Sequence, residues 1–186
     1  GAIDMGSVRS CYPEGKRVGE LMCLAYASQF CINAVAGRLA QTFGAGILPS
    51  EGRVFKQFAS SAMAGEPIVL HTDGMSEGNY VYSTDALSAI LLLLSKGIAG
   101  ETYNIANEAC HSTIRDMAEM VAERFGGGHC SVVIEGKDSS QFGYAAPTKM
   151  TLRSNKLRAL GWESKVDLEE SYRRLIGFLA DSNSIC

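Results

Sequence analysis

The chain has 186 residues, of which 46% are apolar and 20% charged, with a formal net charge of −3. That length suffices for one good-sized domain or one and a half small ones, and the composition is that of an ordinary globular protein. Basic residues stand singly or in pairs, so neither nucleic acid nor an anionic membrane is an expected partner, and the longest apolar run, Ala89 to Leu94, is far too short to span a bilayer.

Pro13 suits a first helical turn, and Val18, Leu21, Met22 and Ala25 recur at helical spacing, which predicts a helix over residues 12–29. Tyr12 and Lys16 then share one face of it, about 6 Å apart along the axis. An ammonium held beside a phenol favours the phenolate and can donate to a sugar hydroxyl, which suits a tyrosine acting as general acid/base. A solvated helix face accounts for most isolated Tyr-x3-Lys pairs, so this spacing alone does not decide. Residues 32–38 read as a short buried strand, and the glycine-rich residues 41–52 as a loop.

A second helix is predicted over 53–64, ending at Gly65, followed by a strand over 67–71 and a turn over 72–78. Tyr80 to Tyr82 form a brief strand, after which Ser83 or Thr84 caps a helix reaching Lys96. Residues 102–106 form a strand, and Ser112 caps an amphipathic helix to Phe125. Gly126, Gly127 and Gly128 stop that helix and lead into a strand over 131–135, so they are not a dinucleotide loop. Residues 136–150 look irregular, two helices over 154–160 and 168–180 finish the fold, and the tail from Asp181 is expected to fray. Alternating helices and strands indicate an α/β fold, yet no strand–glycine turn–helix of the G-x-G-x-x-G kind occurs.

The six cysteines form no C-x-x-C pair, and Cys23 and Cys31 sit in apolar surroundings, so free thiols in a reducing, cytoplasmic setting are expected. His71, His111 and His129 are dispersed without metal-ligand spacing, and no metal site is expected. The first ten residues carry no apolar core of the signal-peptide kind.

In order along the chain, Tyr12-Pro-Glu-Gly-Lys16-Arg17 with Glu20, Arg38-Leu-Ala-Gln-Thr-Phe43-Gly44, Gly52-Arg53-Val54 with Phe58, Tyr82-x-x-Asp85, Gly100-Glu-Thr-Tyr-Asn104-Ile-Ala-Asn107 and Leu157-x-x-Leu160-Gly161-Trp162 resemble the extended short-chain dehydrogenase/reductases, the NAD-dependent sugar-nucleotide epimerases and dehydratases. The resemblance runs from about Ser7 to Leu179 and corresponds to the C-terminal half of that family. It implies the C-terminal portion of a Rossmann-type fold with a small α/β substrate-binding domain: residues 1–40 as active-site helix and following strand, 41–180 mainly as substrate domain with about 79–96 returning to the Rossmann part, and 181–186 as tail.

The resemblance implies that Tyr12 is the catalytic acid/base at the sugar's C4 hydroxyl and that Lys16 binds the nicotinamide ribose and activates Tyr12. The backbone at Leu39 and Ala40 would pass near the nicotinamide, and Gln41, Arg53, Val54, Phe58 and Asn79 fall where the family contacts sugar and nucleotide. Helical spacing explains Val54 and Phe58 equally well as core, Arg53 equally well as a solvated helix start, and Asp85 as a helix cap.

Gln41 stands where the family has asparagine, Ala45 where it has proline, and Gly78 where an arginine often pairs with the nucleotide phosphates. Losing such a contact costs on the order of 1.5–3 kcal/mol.

The chain is therefore expected to be a fragment of an NAD-dependent 4-epimerase, 4,6-dehydratase or decarboxylase acting through a 4-keto sugar on a nucleotide-sugar substrate. The chain alone is expected to be inactive, to bind no cofactor and to associate as a homodimer through the apolar helix 12–29. A non-catalytic sugar-nucleotide-binding or interaction module with the same fold, and an NADP-dependent carbonyl reductase, are the alternatives.

Overall fold

The computed structural model of the chain describes residues 6–48, 50–136 and 148–183. A turn of 3-10 helix, Val8–Ser10, leads into α1, Cys11–Phe30, with Pro13 in its first turn, where a missing N–H costs nothing. Next come β1 (Ala36–Leu39) and β2 (Gln41–Phe43), which replace the predicted buried strand over 32–38 and the start of the predicted loop. Two short strands form because the chain changes sheets at Ala40: β1 pairs in parallel with β5 (Thr102–Ile105), and β2 in parallel with β4 (Glu77–Tyr82). β1 is largely exposed, and among the described residues β5 is the one strand that pairs with it.

α2 (Val54–Ala64) ends on Gly65, whose φ of 68° is left-handed, as predicted for a glycine stop. β3 (Ile68–Leu70) pairs in parallel with β7 (Val132–Ile134). β4 begins inside the stretch read as a turn, because Glu77 and Gly78 are recruited by β6 (Asn107–Thr113), an antiparallel partner with no counterpart among the predicted elements. α3 (Ser83–Lys96) has Tyr82 at its N-cap without a side-chain cap, so neither Ser83 nor Thr84 plays that part. α4 (Ile114–Phe125) is capped by Thr113 rather than Ser112: the Thr113 hydroxyl accepts the Asp116 N–H at 2.9 Å. The Ser112 hydroxyl donates to the Thr113 carbonyl.

α5 (Asn155–Arg158) and α6 (Leu168–Asn183) complete the chain, and α6 continues beyond the predicted end at Ala180, so residues 181–183 are helical rather than a frayed tail. Most of the stretch predicted to be irregular, residues 137–147, lies outside the described residues, as do residues 184–186. Cys11, Cys23, Cys31, Cys110 and Cys130 are free thiols. Among the described residues no helix is long and apolar enough to cross a membrane, and no three His, Cys, Asp or Glu side chains gather as a metal site.

Two buried clusters hold the fold. One joins Phe43, Phe55, Phe58, Tyr80, Met117 and Tyr172 under α2, α4 and α6. The other joins Val81, Ala89, Leu93, Tyr103, Ile105 and Trp162 around α3, β1 and β5. β4 feeds both, because successive side chains of a strand point to opposite faces.

Asp85 ties these parts together instead of capping α3. Only 5% exposed, its Oδ2 accepts the N–H groups of Lys165 and Val166, both at 2.9 Å. The Trp162 indole donates to the Asp85 carbonyl at 3.2 Å and to Ser88 Oγ at 3.1 Å, and Asn107 Nδ2 donates to the Val166 carbonyl at 2.9 Å. This latch fixes the connector between α5 and α6, and with it the helix that covers the first cluster. Asp85→Ala should cost about 1.5–3 kcal/mol in urea unfolding, because it leaves the Lys165 and Val166 N–H groups without their acceptor; a loss below about 0.5 kcal/mol would rule the latch out.

Candidate functional site

α1 presents Tyr12 and Lys16 to solvent. Lys16 Nζ lies 5.4 Å from the Tyr12 ring centroid, and Tyr12 is 71% exposed. No residue of α1 is buried, so the helix meets the body mainly through side-chain tips. The firmest tie is a fork between Arg38 on β1 and Glu20 on α1, with Nε to Oε1 at 2.8 Å and Nη2 to Oε2 at 2.6 Å. The Arg38 hydrogen bond holds the Glu20 carboxyl below its ordinary range, and Glu20 in turn raises Arg38.

At the end of β1, Leu39 is exposed, while Ala40 is buried and donates its N–H to the Ile105 carbonyl at 2.9 Å. Gln41, exposed at the start of β2, lies opposite Tyr80 of β4. Asn79, next to Tyr80, is only 1% exposed. Its Oδ1 accepts the Leu152 N–H at 2.6 Å and its Nδ2 donates to the Asn107 carbonyl at 3.4 Å. The amide therefore holds the protein's own strands at the point where β2 and residues 148–152 part along β4. At Gly78, a Cβ would sit 3.6 Å from Met150 Cε, so the position expected to carry a cation faces a thioether instead.

Arg53, Val54 and Phe58 follow at the head of α2. Phe58 is buried in the first cluster, whereas Val54 is half-buried at the helix start. Arg53 lies with its guanidinium 4.8 Å from the Phe55 ring centroid and 2.6 Å from Glu51, whose carboxyl is pulled down to about 2 by that hydrogen bond.

The structure thus gathers the predicted residues into three groups: Tyr12 with Lys16, Leu39 to Gln41 beside Asn79, and Arg53 to Phe58. Among the described residues, no hydrogen bond or ion pair joins these groups. Glu51 carried no signal beyond its closeness to Arg53, and the pairing of Glu20 with Arg38 carried none.

A groove of about 350 Å³ runs along the outer side of β1, lined by Val35, Gly37 and Leu39 on one wall and Ile90 and Leu94 on the other. β1 has β5 on one edge and no strand on the other among the described residues.

Residues 3–106, more than half of the chain, match the NAD dependent epimerase/dehydratase family. The chain belongs to that family. It is 32% identical over 171 residues to UDP-glucuronic acid decarboxylase 1 of Xenopus tropicalis, a match covering 91% of this chain and 39% of that protein. Among solved structures it is similar to a Bordetella bronchiseptica enzyme in complex with NAD+ (TM-score 0.79, 20% identity, 99% of this chain and 56% of the other). It is also similar to UDP-glucose 4-epimerase from Thermotoga maritima with UDP-glucose (TM-score 0.76, 24% identity, 88% and 51%). These likenesses show a Rossmann-type α/β fold, and the chain spans about half of each solved chain or less than that of the decarboxylase.

Membership in this family makes the attachment of α1 worth testing, since α1 carries the Tyr-x3-Lys pair. Glu20→Gln should accelerate amide hydrogen exchange throughout α1 while shifting global stability by less than about 1 kcal/mol, the range of exposed ion pairs. Because the Glu20 carboxyl is held below its ordinary 4.5, the fork is complete above that value and is lost as pH falls through the lowered one. Unchanged α1 exchange in the variant would show that the fork does not hold the helix.

Proposed function

We propose that this chain supplies the acid/base helix and the substrate side of an NAD-dependent enzyme that acts on a nucleotide sugar through a transient 4-keto sugar. The observation carrying this reading is the exposed Tyr12–Lys16 pair on α1 in a chain of the epimerase/dehydratase family. The similarity to a UDP-glucuronic acid decarboxylase supports a UDP-linked sugar acid as the first substrate to try.

In this reading the Tyr12 hydroxyl exchanges a proton with the sugar's C4 hydroxyl. Lys16 places its charge beside the phenol and offers hydrogen bonds to a ribose diol. The pair fits one side of a nicotinamide ribose, and NAD, when bound, supplies the hydride acceptor and donor. Leu39 and Ala40 shape the floor beside it through backbone, and Gln41 stands free to reach the sugar. Arg53 and Val54 lie at the head of α2 for the nucleotide end, while buried Asn79 and Phe58 act by holding β4 and α2 in place. The sequence has no glycine-rich dinucleotide turn, so the cofactor loop is assigned to polypeptide outside these residues. The groove beside β1 is the surface onto which a further strand and helix would dock, because parallel sheets are covered on both faces. A second copy would cover Leu21, Met22 and Phe30 of α1, which are 63%, 52% and 61% exposed.

A second reading, a binding module without catalysis, draws on Met150 facing Gly78 where a phosphate-binding cation was expected. One substitution separates the two. In the complete protein, with its cofactor-binding part, Tyr12→Phe should lower turnover of a UDP-hexuronate or UDP-hexose by about 100-fold or more while NAD binding persists. Retained turnover would refute the role of Tyr12, and no turnover in the unaltered protein would favour the module.

A further inference from the structure

The loop between β2 and α2 is tied down at several of its described residues. At Gly44 a Cβ would come within 2.4 Å of Ser83 Oγ and 2.8 Å of the Tyr82 ring, so only glycine lets the chain leave β2 here. The Ala45 N–H donates to the Tyr82 hydroxyl at 3.4 Å, and the Glu51 N–H donates to the Leu48 carbonyl at 3.0 Å. Gln57 Nε2 donates to the Gly52 carbonyl at 2.6 Å, fastening the loop's end to the first turn of α2.

This loop delivers Glu51 and Arg53 as a set. Glu51 Oε1 accepts the backbone N–H of Arg53 at 3.0 Å, and Oε2 accepts from Nη2 at 2.6 Å. The Phe55 ring lies against the guanidinium. Glu51 is the more enclosed partner, with 18% of its side chain exposed against 56% for Arg53. One edge of the guanidinium is thus taken by a carboxylate, one face meets an aromatic ring, and the Nε and Nη1 donors have no partner among the described residues. An anion arriving at those donors meets a cation whose charge is already balanced less than 3 Å away.

Resting on the reading of Arg53 as a ligand contact, we infer that Glu51 is a specificity-determining residue. Its carboxylate cancels the pull of Arg53 on small free anions, so that a diphosphate is held there only when the rest of its ligand is bound as well. Selectivity arises as a threshold: Glu51 weakens the hold on every anion alike, so a bare diphosphate no longer fills the site, whereas a ligand with further contacts keeps enough affinity to do so. The free Nε and Nη1 donors remain to orient that ligand through charge-assisted hydrogen bonds.

The test titrates the 186-residue chain with inorganic pyrophosphate and with uridine diphosphate at low salt, by calorimetry. Glu51→Gln, Arg53→Gln and the double variant are compared with the unaltered chain. Glutamine keeps an acceptor for the Arg53 N–H and removes the charge. Glu51→Gln should tighten pyrophosphate binding by about two- to fivefold, the size expected for one partly exposed charge pair. The gain should vanish in the double variant. Unchanged or weaker binding in Glu51→Gln, or a gain that survives the loss of Arg53, overturns the inference. If pyrophosphate follows the expected pattern while uridine diphosphate binds no better than pyrophosphate, the role of Glu51 stands and the nucleotide-sugar reading falls. If uridine diphosphate binds tightly and equally to all four proteins, the nucleotide reading stands and the role of Glu51 falls.

Discussion

β4 is the strand on which everything else leans. Tyr80 points into one buried cluster and Val81 into the other, so a displacement of this strand opens both cores at once. Its edges are fully used: β6 takes one, and the other is shared between β2 at Tyr80 to Tyr82 and residues 148–150 at Glu77. Where those two neighbours part, the Asn79 amide closes the gap by binding Leu152 on one side and Asn107 on the other. At its end β4 runs without a linker into α3, whose Asp85 latches the connector to α6, and α6 returns Arg174 to lie 5.3 Å from the Tyr82 ring centroid. The central three-stranded sheet, the start of α3 and the anchoring of residues 148–152 thus all depend on one six-residue strand.

The elements with strong local signals were legible from the amino acids. α1, α2 and α3 follow apolar residues at helical spacing, and Gly65 ends α2 because left-handed backbone suits glycine. β6 was not legible, because Asn107-Glu-Ala-Cys-His-Ser-Thr shows no apolar alternation. Its burial is through Asn107 and Cys110, and its strand character comes from pairing with β4. The split between β1 and β2 was hidden for a related reason: the residues are continuous, and only their different partners reveal two strands. At the candidate site, the Tyr12–Lys16 pair could be read from spacing. The interior employment of Asn79, the latch at Asp85 and the Glu51–Arg53 pair depend on contacts across long sequence separations or on loop geometry, which no local pattern encodes.

The distribution of burial separates a consolidated body from a marginal flank. α2, α4 and α6 close over a continuous aromatic and aliphatic cluster, whereas α1 buries none of its residues and β1 is largely exposed. The flank is the part that carries the Tyr-x3-Lys pair.

The fork between Glu20 and Arg38 gives this arrangement a peculiar response to solution conditions. Strongly hydrated salts such as sulfate strengthen the burial that holds the two clusters, but the same ions shorten the Debye length and weaken an exposed ion pair. A strongly hydrated salt therefore acts with opposite sign on the body and on the helix that bears Tyr12. A sulfate-rich buffer chosen to make this protein as stable as possible would, by the same act, leave α1 most loosely moored.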